Sequence, residues 1–385
     1  MTEQVNASGP LRGVRVLEIE GIGGSPFAAM LLADMGAEVL RIERPQRNNA
    51  VIGGTDPGPV LGRGRRAVIG LNLKSEDGLA LLLDMVRESD VLIEAFRPGV
   101  AERLGFGPEV VHALNPRVVY GRLTGWGRSG PLAQSAGHDI NYTALAGVLG
   151  AIGRKGSPPS PPLALTGDMG GGGLVLAFGV VAALFERHAS GLGQVVDAAM
   201  VDGAALLMSA FWGFHGQGQW NVERESNLVD GGAPFYDSYE CKDGRFISIG
   251  ALEPQFYEVL RVKLGLADST DRNDPAQWPR LAEELKAIFL TRTCSEWREL
   301  LEGTDACFAP VLDFDSAPDH PHNLARQTFI DIGGITQPAP APRLSRTPAV
   351  ALPPADRFNN TLATLAGWGI DPQRISALKS AGILE

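Results

Sequence analysis

The sequence predicts an α/β protein with a large domain built on a Rossmann-like parallel sheet and a smaller α+β domain. Over the first 130 residues, short apolar runs alternate with amphipathic helical patterns, which is typical of strands joined by helices. The composition, 44% hydrophobic and 20% charged, is that of a globular chain. The 48 glycines and 27 prolines among 385 residues follow no collagen repeat, so we expect many tight turns and close backbone contacts.

The first half of the chain has the pattern of strands connected by crossover helices. A first helix is expected at 27–35, because Pro26 suits its first position and Gly36 follows its end. Ser75 is expected to cap the next helix, whose first turn is acidic. Apolar runs favour strands at 14–18, 38–42, 67–73, 90–96 and 117–122. Strands separated by helices predict a parallel sheet with right-handed crossovers.

The pattern changes at about residue 230. Before it, the residues after Asp168 are apolar on all sides as far as Ser190, which predicts a buried helix, and a second apolar helix is expected at 201–213. After it, the stretch 235–249 reads as a hairpin about a Lys-Asp-Gly turn. Helices are then expected at 254–264, 278–290 and 295–301, and a strand at 308–313.

These patterns divide the chain into four segments. They are a large domain at 1–200, a linker helix at 201–229, a small α+β domain at 230–325 and a C-terminal return onto the large domain at 326–385. The return contains Pro-Ala-Pro-Ala-Pro at 338–342, which predicts an extended segment before a short terminal helix.

Charge and cysteine content exclude several functional classes. A formal net charge of −10 argues against a nucleic-acid partner, although local arginines can still bind a small anion. Three widely spaced cysteines fit a reducing compartment, and without CxxC or HExxH motifs we expect no metal site. The N-terminus lacks a secretory pattern, and the apolar stretch 171–185 falls short of the about 20 residues that a bilayer needs. We therefore expect a cytoplasmic protein with no membrane partner.

The loop Gly21-Ile-Gly23-Gly24 follows a strand and invites comparison with a dinucleotide-binding loop. The GxGxxG spacing is not met, because Pro26 stands at its sixth position, so a tight strand-to-helix turn is the better interpretation. The sequence also lacks a Walker A motif and a GxSxG nucleophile elbow. The common nucleotide-hydrolase and α/β-hydrolase explanations are thereby removed.

Basic residues gather beside the predicted strands. Arg44 and Arg97 each follow a strand, at the edge of a parallel sheet where ligands bind, and their guanidinium groups suit phosphate oxygens. Arg65 precedes the third strand and Lys74 follows it. Each could be an ordinary solvated cation, but together, on an acidic chain, they favour a phosphorylated ligand.

Three further positions carry acid–base groups. His138, in Gly-His-Asp-Ile-Asn-Tyr, could be catalytic because histidine titrates near neutral pH, or simply structural. Asp168 opens the Gly-rich helix, where it could be an N-cap or a base beside free amides that hold an oxyanion. Glu253 precedes Pro254 between a strand and a helix, so capping is its simplest interpretation.

Taken together, these segments resemble the class III CoA-transferase family, and within it the α-methylacyl-CoA racemases. The resemblance runs from Leu11 to about Arg346. Its matching segments are Leu-Leu-Ala-Asp-Met-Gly-Ala-Glu at 31–38, Ile-Glu-Arg-Pro at 42–45, Arg-Pro-Gly-Val at 97–100, Thr-Gly-Trp-Gly at 124–127, Gly-His-Asp-Ile-Asn-Tyr at 137–142, Gly-Asp-Met-Gly-Gly-Gly at 167–172, Asp-Ala-Ala-Met-Val-Asp-Gly at 197–203 and Gly-Gly-Ala-Pro at 231–234. As a set they are specific, although any one alone is weak.

The resemblance implies a catalytic group made of His138, Asp139, Asp168 and Glu253. In the family's transferases the aspartate matching Asp168 is a nucleophile, whereas in its racemases that aspartate works with a histidine as paired acid and base. The Gly-His-Asp motif here is similar to the racemase version, and transferases usually lack the histidine. We therefore expect a racemase in which His138 and Asp168 act on opposite faces of the α-carbon, with the enolate oxygen on backbone N–H groups at the start of the Gly-rich helix.

The resemblance also implies how the subunits and the ligand are arranged. Family members form interlocked, ring-like homodimers, which would bring Glu253 of one subunit close to His138 of the other. Coenzyme A is part of the substrate, no separate cofactor is expected, and Arg44 and Arg97 would lie near its phosphates, with Arg65 and Lys74 as further candidates. Around Gly21 the family commonly reads Ala-Gly-Ile-Gly-Pro, which this chain does not. The acyl group is therefore left open among a steroid side chain, a branched fatty acid and an arylpropionate.

Two other functions stay open at this point. One is a CoA-transferase that moves CoA between carboxylic acids through an acyl-enzyme on Asp168. The other is a non-catalytic α/β protein that binds CoA or a nucleotide.

Overall fold

The structure is a computed structural model that describes residues 8–45, 58–267, 271–359 and 361–385. The chain forms two compact units. The first consists of Met1–Ala146, Leu163–Leu207 and Arg326–Glu385, and the second of Gly147–Pro162 and Met208–Ala325. The four-segment division made from the sequence stays a prediction.

The strands, in chain order, are β1 Arg15–Ile19, β2 Glu38–Glu43, β3 Arg65–Gly70, β4 Val91–Glu94, β5 Val119–Thr124, β6 Val195–Ala199, β7 Tyr236–Glu240, β8 Phe246–Gly250, β9 Phe308–Pro310, β10 Phe329–Ile332 and β11 Ile335–Pro338. The α-helices are α1 Gly24–Asp34, α2 Gly58–Leu61, α3 Glu76–Arg87, α4 Val100–Leu104, α5 Pro108–Leu114, α6 Asp139–Leu145, α7 Val148–Ala151, α8 Val175–Ser190, α9 Met200–Leu207, α10 Ser209–Gly216, α11 Pro254–Leu264, α12 Trp278–Phe289, α13 Cys294–Leu301, α14 Pro321–Arg326, α15 Thr361–Gly367 and α16 Pro372–Ser380. A π-helix covers Leu165–Leu174 and a short 3₁₀-helix covers Pro275–Gln277.

The first unit contains a six-stranded parallel sheet in the order β3-β2-β1-β4-β5-β6. This is the doubly wound strand order, so the predicted Rossmann-like α/β fold is confirmed. The strand order reverses between β1 and β4, where the connections leave to opposite sides and open a crevice at the carboxyl ends. β6 was not predicted, because its sequence Val-Val-Asp-Ala-Ala has a polar centre and no continuous apolar run.

Alternating residues of the central strands face two separate cores. In β1, Val16 packs in the core that includes α1 and α8, whereas Leu17 packs in the core that includes α3. The second of these cores also contains Leu365 of α15 and Ile375 of α16. The C-terminal segment therefore completes one face of the sheet.

Local signals of the first unit act as the sequence predicts. The Ser75 hydroxyl accepts the backbone N–H of Gly78 at 3.1 Å and caps α3, whose buried face presents Leu81, Leu82 and Met85. Helix α8 ends at Gly191, whose φ of 77° is the left-handed value that terminates helices.

The second unit has a three-stranded antiparallel sheet, β7-β8-β9, covered by helices. The predicted hairpin and α11 are present, and Thr293 caps α13 through a reciprocal pair of hydrogen bonds with Glu296. The core of this unit includes Phe235, Phe289 and Trp297.

The apolar helix after Asp168 is longer than the sequence suggests. The π-helix and α8 form one continuous helix, Leu165–Ser190, of 26 residues, which is long and apolar enough to cross a membrane by length and composition. The prediction that this apolar segment is too short to cross a bilayer is therefore wrong. Within its most apolar window 44% of the residues are buried in the protein, and core helices pass the same test. The predicted helix at 201–213 is instead two helices, α9 and α10, separated at Met208.

Candidate active site

A cavity of about 310 Å³ lies in the first unit at the carboxyl ends of the strands, where the strand order reverses. Its walls come from the loops after β1, β4 and β5, from the start of α6 and α9 and from the π-helix. The lining residues include Ile22, Phe96, Arg97, Trp126, Gly137, His138, Tyr142, Asp168 and Met200. The structure thus brings His138, Asp168 and Arg97 to one cavity.

His138 is the N-cap residue of α6. Its backbone N–H donates to the side-chain oxygen of Asn141 at 3.0 Å, and its carbonyl accepts the N–H of Asn141 at 2.8 Å. Because these backbone bonds hold the residue, the imidazole is not needed for capping and stays exposed toward the cavity.

An aromatic pair supports the segment before His138. The rings of Trp126 and Tyr142 meet edge to face with centroids 4.8 Å apart, and the Tyr142 hydroxyl donates to the carbonyl of Gly137. A Cβ added at Gly137 would lie 2.7 Å from the Tyr142 ring, so only glycine fits this approach. No role was predicted for Trp126 or Tyr142. The sequence feature that could have indicated a role for them is their position in two segments that carry the family resemblance, 124–127 and 137–142.

Asp168 lies in the first turn of the π-helix. The N-cap interpretation of Asp168 is wrong, because the helix starts three residues earlier and its N-cap is Ala164. The backbone N–H of Asp168 donates to a carboxylate oxygen of Asp139 at 2.7 Å, so the charge of Asp139 lies close to Asp168. Burial, and then the negative charge of Asp139, raise the pKa of Asp168 to about 6, while His138 acts in the opposite direction.

Glycines let the backbone of other elements approach the π-helix closely. A Cβ added at Gly23, before α1, would lie 2.6 Å from a carboxylate oxygen of Asp168. A Cβ added at Gly203 of α9 would lie 1.9 Å from the carbonyl oxygen of Gly171. The glycine run at 170–173 is therefore explained by backbone packing against α1 and α9, and that packing fixes where Asp168 stands.

The predicted oxyanion site at the start of this helix needs correction. The N–H of Asp168 is taken by Asp139, and the N–H of Met169 donates to the carbonyl of Ala164 at 3.2 Å, the five-residue step of a π-helix. These two amides are engaged within the protein and are not open to an enolate.

The four predicted cations are distributed unevenly. Arg97, after β4, lines the cavity. Arg44 follows β2 and Lys74 follows the end of β3, and both side chains are exposed at the carboxyl edge of the sheet. Three of the four therefore lie at the edge where an anionic ligand is expected.

Arg65 is not a ligand-binding residue, contrary to the prediction. It begins β3, at the opposite edge of the sheet, and its side chain is buried. Its guanidinium donates to both carboxylate oxygens of Glu18, at 2.9 and 3.2 Å, and to three backbone carbonyls, those of Pro26, Leu61 and Arg63. All five N–H groups are engaged within the fold, so none is left for a phosphate.

Glu253 lies in the second unit, at the N-cap position of α11 before Pro254. Its side chain makes no capping hydrogen bond and is exposed. Glu253 therefore occupies the predicted N-cap position, but its carboxylate does not cap the helix. The carboxylate stays available to a ligand or to another subunit.

The described residues contain no group of three or more His, Cys, Asp or Glu side chains placed to hold a metal ion. The chemistry that the cavity offers is acid–base chemistry, with one imidazole and one carboxylic acid of raised pKa on its wall.

Comparison with known proteins identifies relatives over almost the whole chain. Residues 11–357 match the model of CoA-transferase family III. The chain is 45% identical to the alpha-methylacyl-CoA racemase of Mus musculus and 43% identical to that of Homo sapiens, each over 97% of both chains. It is also 30% identical to an acetyl-CoA:oxalate CoA-transferase of Acetobacter aceti, over 90% of this chain and 92% of that one.

Solved structures share the fold. The hypothetical protein Rv3272 from Mycobacterium tuberculosis superposes with a TM-score of 0.77 at 28% identity, covering 94% of this chain and 99% of that one. A CAIB/BAIF family protein from Brucella suis gives a TM-score of 0.80 at 22% identity, covering 94% of this chain and 100% of that one.

Proposed function

The chain belongs to CoA-transferase family III, and we propose that within it the protein is an isomerase that interconverts (2R)- and (2S)-2-methylacyl-CoA thioesters. The observation that carries this proposal is that His138 and Asp168 line the same cavity. The two mammalian racemases, matched from end to end, support the same reaction class.

Racemisation needs a proton removed from one face of the α-carbon and another returned to the opposite face. A thioester acidifies that position because the carbanion is an enolate, but the transfer stays slow without a positioned base. Two groups on opposite sides achieve this without a large movement, each being a base in one direction and an acid in the other. His138 and Asp168 take these roles in our proposal. The raised pKa of Asp168, about 6, suits it to both, because its proton is neither too tightly nor too weakly held near neutral pH.

Asp139 contributes to the raised pKa of Asp168. It accepts the Asp168 backbone N–H, is buried, and its charge opposes ionisation of Asp168. We propose that Asp139 positions Asp168 and helps to keep its pKa close to neutral.

The CoA part of the substrate is proposed to lie along the carboxyl edge of the sheet. Arg97 on the cavity wall, with Arg44 and Lys74 at the same edge, supplies positive charge for the phosphates. We expect no cofactor apart from the CoA that arrives with the substrate.

We propose that the protein acts as an interlocked homodimer in the cytoplasm. An exposed apolar stripe on α8, formed by Phe178, Val181 and Phe185, supports association with a second copy. In this dimer Glu253 of the partner subunit approaches His138 and orients or polarises it.

Isotope exchange tests the proposal. Incubation of (2R)-2-methylacyl-CoA with the enzyme in D₂O is expected to remove the α-proton signal from the NMR spectrum while optical activity decays. His138→Ala should slow this exchange by about 10² or more, the range for a positioned acid–base group. The matched control His322→Ala removes an exposed histidine of α14 and should exchange at the wild-type rate. Wild-type exchange by His138→Ala would refute the assignment.

The alternative is a CoA-transferase that uses Asp168 as a nucleophile, and the similarity to an acetyl-CoA:oxalate CoA-transferase favours it. Such an enzyme forms a thioester on the Asp168 carboxylate during turnover. Hydroxylamine or borohydride, added with a donor thioester and an acceptor acid, would then trap a modified Asp168. A racemase gives no such adduct.

A further inference from the structure

The loop between β4 and α4 forms one wall of the cavity. Ala95, Phe96, Arg97 and Pro98 all line it, and Arg97 is the cation that reaches it. The loop ends at Gly99, whose φ is 85°. It is held at its two ends and also by Gln134, whose side-chain amide donates to the carbonyl of Pro98 at 3.1 Å.

The loop is held at its start by Glu94, the last residue of β4. The Glu94 carboxylate is buried; one oxygen accepts the backbone N–H of Phe96 at 2.6 Å, and the other accepts Nε of Arg122 at 2.7 Å. Arg122 belongs to β5, the neighbouring strand, so it is fixed by the sheet.

The same arginine holds the segment that follows the loop. Nη1 of Arg122 lies 2.9 Å from a carboxylate oxygen of Glu102 in α4. Arg128, beyond the turn that carries Trp126, lies 3.0 Å from that same oxygen. One carboxylate therefore joins the Arg97 wall of the cavity to the Trp126 wall.

We propose that Arg122, with Glu94 and Glu102, is a positioning residue that sets the location of Arg97 for the CoA part of the substrate. The proposal rests on the proposed function, because it needs Arg97 to bind the coenzyme. Arg122 itself is buried and does not line the cavity, so it acts through the loop. Its planar guanidinium binds Glu94 through Nε and Glu102 through Nη1, and the compact ammonium of a lysine does not reproduce this pair of separated donors.

Glu102 offers the cleanest test, because its side chain is 42% exposed, and because Arg122 keeps its ion pair with Glu94 when Glu102 is removed. We expect Glu102→Ala to weaken CoA binding, measured by calorimetry with free CoA, and to raise the KM by about tenfold, within the range of coupling between contacting residues. The kcat should change little, and the thermal midpoint should fall modestly, because Arg122 loses one of its two carboxylate partners. The matched control Glu109→Ala removes an exposed glutamate of α5 and should bind CoA like the wild type.

A double-mutant cycle with Arg97→Ala decides whether the effect passes through Arg97. If it does, Glu102→Ala causes almost no further loss of CoA affinity in a protein that already carries Arg97→Ala. Additive losses, or a Glu102→Ala variant with wild-type affinity, would overturn the proposal.

Arg122→Lys is the second variant, because it keeps the positive charge in the buried site. It should lose CoA affinity by a factor similar to that of Glu102→Ala while α-proton exchange at saturating substrate persists. Unchanged CoA affinity in a folded Arg122→Lys variant would also contradict the role of Arg122. Failure of the wild type to exchange the α-proton would contradict the proposed function instead. The CoA-binding cycle would still measure the coupling between Arg97 and Glu102.

Discussion

Asp168 combines burial with a neighbouring negative charge, and both oppose its ionisation. The pKa of Asp168, about 6, lies above the ordinary value of 3.8, so the folded protein binds this proton more tightly than the unfolded chain. The free energy of unfolding therefore decreases as the pH rises through this interval, and it stays reduced at higher pH. The carboxylate that our proposal makes catalytic is thus a source of instability at neutral pH.

We expect Asp168→Asn to be more stable than the wild type at pH 7.5, by about 1 to 2 kcal/mol. This is less than the about 3 kcal/mol that the full shift corresponds to, because the half-buried carboxylate is partly screened by solvent. The gain should shrink towards pH 4, where the Asp168 carboxyl is almost fully protonated in the folded protein and partly protonated in the unfolded chain. Urea unfolding at the two pH values measures it, with Asp315→Asn, at an exposed position, as the control. Equal stability at pH 7.5 would contradict the predicted effect of burial.

At the level of elements, the π-helix and α9 cross with their backbones almost in contact. A Cβ at Gly203 would lie 1.9 Å from the carbonyl oxygen of Gly171, closer than any relaxed contact allows. The two elements must separate if a side chain is introduced, and Asp168 on the π-helix would move with them.

Gly203→Ala is therefore expected to destabilise the protein by about 1 to 3 kcal/mol, the usual range for overpacking, and to slow α-proton exchange. Gly213→Ala is the matched control. It also lies in a helix, α10, but a Cβ there meets nothing within 4 Å, so this change should be neutral or stabilise slightly. The thermal midpoint and the α-proton exchange rate are measured for both variants. Similar results for the two would argue against the close backbone contact between the π-helix and α9.

Elements with local signals could be predicted from the sequence, and elements fixed by tertiary contacts could not. The Ser75 cap, the α11 boundaries and the Gly191 stop depend on neighbouring residues and were predicted correctly. The π-helix depends on close packing against α1 and α9, which no local pattern reveals. β6 depends on the hydrogen bonds of β5, because its own sequence lacks an apolar run.

The candidate site shows the same division. The residue types and segments pointed to His138 and Asp168, which the structure places on one cavity. Arg65 was misassigned because sequence position shows that a residue flanks a strand but not which partners its side chain meets. Its buried partner Glu18 lies far away in the chain. Trp126 and Tyr142 received no role, since their contact joins the loop after β5 to α6, which are separate in sequence.

On the scale of the whole molecule, α8 carries exposed aromatic side chains that a single chain leaves uncovered. Phe178 is 74% exposed and Phe185 is 80% exposed, two turns apart on one face of the helix. Apolar residues grouped in this way favour contact with another protein surface. In our proposal that surface belongs to the second copy.

The double variant Phe178→Glu, Phe185→Glu is expected to be monomeric or to lose most of its dimer, because each buried carboxylate would be unpaired in the interface. Size-exclusion chromatography with light scattering measures the mass in solution. Val110→Glu, at an exposed position of α5, is the control and should keep the mass of the wild type. A monomeric wild type, or a dimer in the double variant, would count against this interface.

The completion of one sheet face by α15 and α16 has a consequence for how the protein is made. Trp368, Ile375 and Leu384 belong to the same core as Leu17 near the other end of the chain. A nascent chain emerging from the ribosome therefore leaves the part of that face that α15 and α16 cover open to water until nearly all of the sequence has been translated. A chain that stops before residue 365 would leave this apolar area permanently exposed, and exposed apolar surface of this kind promotes aggregation.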